Sequence, residues 1–210
     1  MHAGKIEQNL RANGKHIMGT DNNIKNGDIA DKGNKSETCT RVLSGCNTFY
    51  LSIGSNVGDR EANIRKAVDA IDRHPDINVT AVSSIYKTDP MYVKNQDYFY
   101  NIVLSALIRK TFSPFELLGF LKKVEYDDMG RKKAHARYGP RIIDIDILYC
   151  SDVCIDSSCL TIPHPKLAER NFVLVPLGEI SPDFMVGGKN IKEFIVESNF
   201  PERVDLVRSW

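Results

Sequence analysis

The 210-residue sequence is long enough for one catalytic domain with an appendage, since domains typically contain roughly 100–150 residues. Hydrophobic residues make up 42% of the chain and charged residues 26%, which is ordinary for a globular protein, and no apolar run is long enough to span a membrane. The formal net charge of +1 gives no global reason to expect nucleic-acid binding, so any basic binding surface must be local.

The N-terminal stretch, residues 1–46, is rich in Asn, Lys, Gly, Asp and Ser, and its apolar residues keep neither a helical nor a strand period. We therefore predict a disordered extension over 1–46 and a catalytic domain over 47–210. The opening residues lack the continuous apolar stretch of a secretory signal, which predicts a cytoplasmic protein. The five cysteines are odd in number and lack C-x-x-C spacing, which favours reduced thiols over disulfides or a zinc site.

The first elements of the domain follow as strand, turn and helix. Residues 48–53 form a β-type run that stops at Gly54-Ser55-Asn56, after which Asp59 is placed to cap a helix. A second strand is predicted over 77–86 and a third over 98–108, with a loop over 87–97 between them. The apolar residues of the first helix recur at helical spacing: Ile64, Ala67, Val68 and Ile71.

A capping box opens the second helix, because Ser113 is followed by Pro114 at the first helical position and by Glu116. Gly130 interrupts this helix, a basic loop follows, and residues 142–148 alternate as a fourth strand. The order βαββαβ predicts a ferredoxin-like α+β fold with two helices on one side of an antiparallel sheet. A C-terminal extension containing residues 172–180 and 190–197 is expected to place helices on the other side.

Two carboxylates share one face of the fourth strand. The period of two places Asp144 beside Asp146, with Cα atoms roughly 6.5–7 Å apart, while the intervening isoleucines enter the core. Such hard oxygen ligands suit Mg²⁺, which takes one or two carboxylates and completes its shell with water and substrate phosphates. The alternative is a solvated strand face that carries two unrelated acids.

A concentration of positive charge leads directly into this strand: Arg131, Lys132, Lys133, Arg137 and Arg141. Phosphoryl transfer needs this combination, because the protein mainly positions phosphates and neutralises charge with Mg²⁺ and cationic side chains. The alternative is a loop that only aids solubility or contacts nucleic acid. The sequence has neither a Walker A motif nor a kinase Gly-rich loop, which excludes the common nucleotide folds as templates.

The segment 138–148, YGPRIIDIDIL, resembles the signature of the hydroxymethyldihydropterin pyrophosphokinase family. The resemblance implies that a pyrophosphoryl group passes from ATP to the hydroxymethyl arm of 6-hydroxymethyl-7,8-dihydropterin in folate biosynthesis, giving the pterin diphosphate and AMP. It covers about residues 48–180 and includes Gly54-Ser55-Asn56, Thr88-Asp89-Pro90, Gln96 leading to Asn101, and Pro163-His164 with Arg170 and Phe172.

The resemblance also implies roles for individual residues. Asp144 and Asp146 would hold two Mg²⁺ ions and form the catalytic group with Arg131 and Arg141. Residues implied in ATP binding are Arg131, Arg137, Arg141, Ile147, His164 and Arg170. Those implied around the pterin are Thr88, Asp89, Pro90, Met91, Phe99, Asn101 and Phe172. The segment from Glu125 to Gly130 is one residue longer than the family pattern, which leaves open the acid that matches the family's glutamate.

The implied chemistry is in-line attack of the pterin hydroxymethyl oxygen on the β-phosphorus of ATP. Charge further predicts that MgATP orders residues 131–141 and draws the 87–97 loop inward, so that ATP and pterin bind cooperatively. We expect a monomer without nucleic-acid or membrane partners, either free-standing or joined to other folate enzymes. Two alternatives stay open: a two-metal phosphodiesterase or nuclease, which needs further metal ligands, and an RNA-binding module, which needs aromatic and basic residues on central strands.

Overall fold

The computed structural model describes residues 45–91, 93–131 and 139–210. The predicted disorder of the N-terminal extension therefore concerns residues that lie, up to residue 44, outside the described part, and it stays a prediction. The first strand begins at Cys46, the last residue assigned to that extension. None of the helices in the described ranges is both long and apolar enough to cross a membrane.

Ten strands and four α-helices make up the described chain. The strands are β1 (Cys46–Ser55), β2 (Ile77–Val82), β3 (Ile85–Thr88), β4 (Phe99–Arg109), β5 (Asp144–Cys150), β6 (Ile155–Asp156), β7 (Thr161–Ile162), β8 (Met185–Val186), β9 (Lys189–Asn190) and β10 (Val204–Arg208). The helices are α1 (Arg60–Asp72), α2 (Pro114–Lys123), α3 (Asn171–Ile180) and α4 (Ile191–Ser198). The main sheet is antiparallel in the order β10-β3-β4-β1-β5, with β2 also paired to β4, and the remaining strands form two small hairpins.

Helices cover both faces of the main sheet, as the sequence predicts. Because side chains alternate along a strand, β1 and β4 each contribute to two separate cores. The first core packs α1 and α2 against residues such as Leu51, Ile53, Ile102 and Leu104. The second packs α3 and the start of α4 against the opposite face, through Val103, Leu148, Val173, Leu177 and Ile191.

The predicted helix starts are confirmed. Asp59 accepts a hydrogen bond from the Ala62 N–H at 3.0 Å, and Ser113 forms the reciprocal capping box with Glu116. At its far end α2 continues into one π turn, Val124–Asp128, and Gly130 then takes a φ of +66° that a glycine adopts without strain. A π turn contains one residue more than an α turn, so this turn accommodates the extra residue of the Glu125–Gly130 segment.

The prediction of one strand over 77–86 is wrong, because Ser83 and Ser84 divide it into β2 and β3. The Ser83 N–H donates to the Val103 carbonyl at 2.9 Å, and the Val103 N–H donates to the Ser83 hydroxyl at 3.0 Å, so a side chain replaces part of the ladder. The Glu179 carboxylate of α3 accepts hydrogen bonds from the Ser84 N–H, the Ser84 hydroxyl and the Tyr86 hydroxyl, at 2.9, 2.7 and 3.0 Å. It thereby fixes the bend against the helix.

We expect Glu179→Ala to lower the free energy of unfolding by about 2 kcal/mol, since hydrogen bonds to a charged group are lost and the bend is released. Tyr86→Phe, which removes one of the three donors, should cost less. Burial and the Glu179 carboxylate raise the pKa of Tyr86 to about 12, so that pKa should fall in Glu179→Ala. Urea unfolding and ultraviolet titration of tyrosine measure both effects, and an unchanged unfolding midpoint would contradict the assignment.

Candidate active site

The candidate site lies on the α3 face of the sheet, where the ends of β1, β4 and β5 meet. In the sheet register Gly54 of β1 lies opposite Asp144 on one side and opposite Asn101 on the other. Ser52 lies opposite Asp146 in the same way. The pairing of β1 with two neighbours therefore brings the carboxylates and the Asn101 amide, which are distant in sequence, to adjoining positions on one face.

Most of the predicted site residues line one open cleft at this place. They are Thr88, Asp89, Met91, Phe99, Asn101, Arg141, Asp144, Asp146, His164, Arg170 and Phe172. Arg131 joins the group through its ion pair with Asp144, and Pro90 is buried next to Asp89. The side chain of Ile147 is 4% exposed and belongs to the core, because the strand period turns it away from the cleft. Arg137 lies outside the described residues.

Each carboxylate of the pair is bound to arginine. Nη1 of Arg131 lies 2.8 Å from Oδ1 of Asp144, and Nη1 of Arg141 lies 3.1 Å from Oδ2 of the same residue. Nη1 of Arg170 lies 3.0 Å from Oδ2 of Asp146. Among the residues that the structure describes, the buried Nε atoms of Arg141 and Arg170 have no hydrogen-bond partner. A buried donor without a partner is costly, so these two atoms favour a site that receives an anionic ligand.

Charges around Asp146 set the protonation of the neighbouring groups. Burial is the largest single effect on Asp146 and opposes its ionisation, but Arg170 together with the other positive charges nearby outweighs burial and lowers the pKa of this carboxyl. Burial, together with Arg170, lowers the pKa of His164 to about 4, so the imidazole is neutral at physiological pH. Nδ1 of His164 accepts a hydrogen bond from the Lys166 N–H at 3.0 Å, which assigns the ring proton to Nε2.

A second group of cleft residues suits a flat, polar heterocycle. Asn101 and Thr88 are 4% and 3% exposed, and Nδ2 of Asn101 donates to the Thr88 hydroxyl at 2.7 Å, which fixes the orientation of the amide. The rings of Phe99 and Phe172 line the same cleft. Buried amide groups beside aromatic rings can bind the edge and the faces of a planar ligand at once.

Gly54 leaves room for the Asn101 amide because it has no side chain. A Cβ atom placed on Gly54 would lie 2.6 Å from Oδ1 of Asn101, which is closer than real Cβ contacts allow. The sequence indicated a glycine chosen for turn geometry, but Gly54 lies within β1 and is needed for close approach.

Glu125 is a site residue whose role the sequence left open. It is 0% exposed; Nζ of Lys122 lies 2.7 Å from Oε2, and Nη1 of Arg131 lies 2.8 Å from Oε1. Oε1 also accepts the Ile145 N–H at 2.6 Å, and Ile145 is the residue between the two aspartates. Burial raises the pKa of Glu125, but every group around it is a donor, so the surroundings fit the ionised form.

Ser52 and Gln96 also line the cleft, although the sequence gave neither of them a role. Gln96 stood in the resembling segment, and its position before β4 was the available signal. Ser52 could have been found from the period of two, because it precedes Gly54 on the same face of a strand that is otherwise strongly apolar.

One cleft combines paired carboxylates, arginines with buried donors, and a pocket of amide and aromatic side chains. This combination is typical of an enzyme that transfers a phosphate-containing group to a small heterocycle. Residues 50–182 match the family model described as 7,8-dihydro-6-hydroxymethylpterin-pyrophosphokinase (HPPK). The chain therefore belongs to the HPPK family, whose members are ATP-dependent diphosphotransferases of folate synthesis.

Individual relatives agree with this membership. A 2-amino-4-hydroxy-6-hydroxymethyldihydropteridine pyrophosphokinase of Bacillus subtilis is 42% identical over 134 residues, which are 64% of this chain and 78% of that protein. The folic acid synthesis protein FOL1 of Dictyostelium discoideum is 37% identical over 80% of this chain but only 25% of its own length. A Plasmodium falciparum HPPK-DHPS structure with pteroate has a TM-score of 0.57 at 14% identity, covering 73% of this chain and 44% of that one, which shows the shared fold.

We expect Gly54→Ala to weaken pterin binding by at least about tenfold, because the added methyl group must displace the Asn101 amide. Gly119→Ala is the matched control, since a Cβ at Gly119 of α2 meets nothing within 4 Å. That change should leave binding intact and stabilise the helix by up to about 1 kcal/mol. Titration calorimetry with 6-hydroxymethylpterin measures both variants, and equal affinities for the two would contradict the role given to Gly54.

Glu125→Ala should lower the free energy of unfolding by about 1–3 kcal/mol, because the buried Ile145 N–H loses its acceptor and Arg131 keeps only one of its two carboxylate partners. Turnover should also fall by about 100-fold, since Arg131 loses one of its two anchors and shifts relative to the reaction centre. The control is Asp128→Ala in the same π turn, which removes an exposed ion pair with Lys123 that solvent screens. Chemical denaturation and initial rates test this, and equal losses in the two variants would refute it.

Proposed function

We propose that this protein transfers the pyrophosphoryl group of ATP to the hydroxymethyl oxygen of 6-hydroxymethyl-7,8-dihydropterin, with Asp144 and Asp146 as its metal-binding catalytic pair. In this reaction the hydroxymethyl oxygen bonds to the β-phosphorus, the bond from that phosphorus to the α–β bridging oxygen breaks, and AMP leaves with that oxygen. The observation that carries the assignment of the site is the register of β1, in which Gly54 lies between Asp144 and Asn101.

The residues around the carboxylate pair fit Mg²⁺. Asp144 and Asp146 offer hard oxygen ligands from one strand face, and one or two carboxylates are the usual protein share of a magnesium site. Among the described residues no group of three or more His, Cys, Asp and Glu side chains is placed to hold a metal, so phosphates and water would complete the coordination. Bound there, Mg²⁺ would neutralise charge on the bridging and transferred phosphate oxygens.

The arginines perform the phosphate binding in this proposal. Arg131 and Arg141 leave their carboxylate partners, or share them, when phosphates and metal enter, and the buried Nε of Arg141 then gains an acceptor. Arg170 lies at the other carboxylate and presents a second Nε of the same kind. The neutral His164 can donate from Nε2 to a phosphate or ribose oxygen.

The acceptor substrate is oriented at the other end of the cleft. Asn101, held by Thr88, would bind the polar edge of the pterin, and the ring would stack on Phe172 with Phe99 nearby. Because the substrate is held next to the carboxylate pair, its hydroxymethyl oxygen can be aligned for in-line attack without a covalent enzyme intermediate.

Assembly and location extend the proposal further. The chain spans a quarter of the Dictyostelium relative and less than half of the Plasmodium HPPK-DHPS chain, so we propose a fused or associated folate enzyme as its partner. A monomeric state and a cytoplasmic location are the remaining expectations from the sequence.

We expect Asp144→Asn and Asp146→Asn each to reduce AMP formation by at least about 100-fold while the fold is retained, because each change removes a negative ligand from the cleft but keeps its volume. Asp152→Asn is the control, since Asp152 is exposed in the turn after β5 and adopts a φ of 58° that asparagine tolerates. The assay measures AMP released from ATP with hydroxymethyldihydropterin and Mg²⁺. Near wild-type rates in either cleft variant would overturn the metal assignment, and no pterin-dependent AMP from the wild type would overturn the function.

A further inference from the structure

Asn56 lies in the turn between β1 and α1, outside the set of residues that line the cleft, yet it is 2% exposed and extensively hydrogen-bonded. Oδ1 of Asn56 accepts the Arg141 N–H at 2.8 Å, and the Asn56 N–H donates to the Arg141 carbonyl at 3.2 Å. The side chain and backbone of one residue thus hold both polar groups of the Arg141 backbone. Arg141 in turn is paired with Asp144 through its side chain.

The other half of the same amide binds a different part of the cleft. Nδ2 of Asn56 donates to Oε1 of Gln96 at 3.1 Å and to the Asp97 carbonyl at 3.3 Å. Gln96 lines the cleft three residues before Phe99, the first residue of β4, and five residues before Asn101. Asn56 therefore contacts the backbone that carries a phosphate-binding arginine and the segment that precedes the pterin-side residues.

We propose that Asn56 is a positioning residue that couples the nucleotide half of the cleft to the pterin half. When Arg141 moves onto ATP phosphates, its backbone shifts the hydrogen-bonded Asn56 amide. The shifted amide then changes the positions of Gln96 and Asp97, to which it donates. The coupling requires a donor and an acceptor on one short side chain, which asparagine has; ionised aspartate keeps only the acceptor, and alanine has neither. This inference rests on the function proposed above.

The nearby Asn63 supplies a matched control. Nδ2 of Asn63 donates to the Val57 carbonyl at 2.9 Å and to the Ser55 hydroxyl at 3.3 Å, so it stabilises the same turn from α1. Its described hydrogen bonds go to the turn itself and to neither Arg141 nor Gln96. Removing Asn63 therefore loosens the turn, whereas removing Asn56 cuts the connection between the two halves of the site.

The experiment measures the factor by which nucleotide tightens pterin binding. Titration calorimetry gives the Kd of 6-hydroxymethylpterin with and without saturating α,β-methylene-ATP and Mg²⁺, a nucleotide in which the transferable bond is blocked. A coupled wild-type site should show a factor of about 5–150, and the reverse titration must give the same factor by linkage. In Asn56→Ala we expect that factor to fall towards one, while the Kd of each ligand alone changes by less than about threefold.

Asn56→Asp provides a second variant, which keeps the side-chain volume and the acceptor for the Arg141 N–H but places a carboxylate oxygen against Oε1 of Gln96 and the Asp97 carbonyl. It should lose the coupling factor as well, whereas Asn63→Ala should keep it. Circular dichroism confirms that each variant is folded before titration.

The inference is overturned if a folded Asn56 variant keeps the wild-type factor, if Asn63→Ala loses as much of it, or if the wild type shows no coupling. It is equally overturned if binding of each ligand alone weakens as much as ternary binding, because that result indicates a purely structural role. Pterin-dependent AMP formation by the wild type, measured separately, shows whether the proposed function itself holds.

Discussion

The site depends on the pairing of one strand with two neighbours. β1 pairs with β4 on one side and β5 on the other, and its register sets Gly54 between Asn101 and Asp144. Backbone ladders fix those positions without help from the polar side chains, so the fold supplies the alignment before any ligand arrives. The absence of a Cβ at Gly54 then leaves room for the Asn101 amide. A rigid central strand thus determines how far the acceptor pocket lies from the carboxylates.

The cleft brings groups of like charge close together. Asp144 and Asp146 repel one another, as do the arginines, and the three carboxylate–arginine pairs balance these charges in the ligand-free chain. Ion pairing offsets the free-energy cost of desolvating these groups only in part. Among the described residues, the two arginine Nε atoms still have no acceptor. In the proposed function, a polyphosphate with its metal would satisfy both sets at once. Selectivity for that combination would then come from charges that neither a bare anion nor a bare cation neutralises completely.

The sequence predicted the features that depend on local chemistry and period. The caps at Asp59 and Ser113, the alternation through Asp144 and Asp146, and helices on both sheet faces all reappear in the structure. Features that depend on tertiary partners were missed. The break at Ser83 and Ser84 needs the Glu179 carboxylate from a helix almost one hundred residues away, and strand β10 pairs with β3 through a few residues of mixed character.

The role of Glu125 also depends on tertiary partners that the local sequence does not reveal. The segment offers three acids, Glu125, Asp127 and Asp128, and spacing alone did not select among them. The π turn selects Glu125 by rotating it inward, where the outer edge of β5 presents an N–H without a strand partner at Ile145. One carboxylate therefore satisfies an edge donor and anchors Arg131 at the same time. Because the donor lies between the two aspartates, the helix end that contains the extra residue also holds β5 in place.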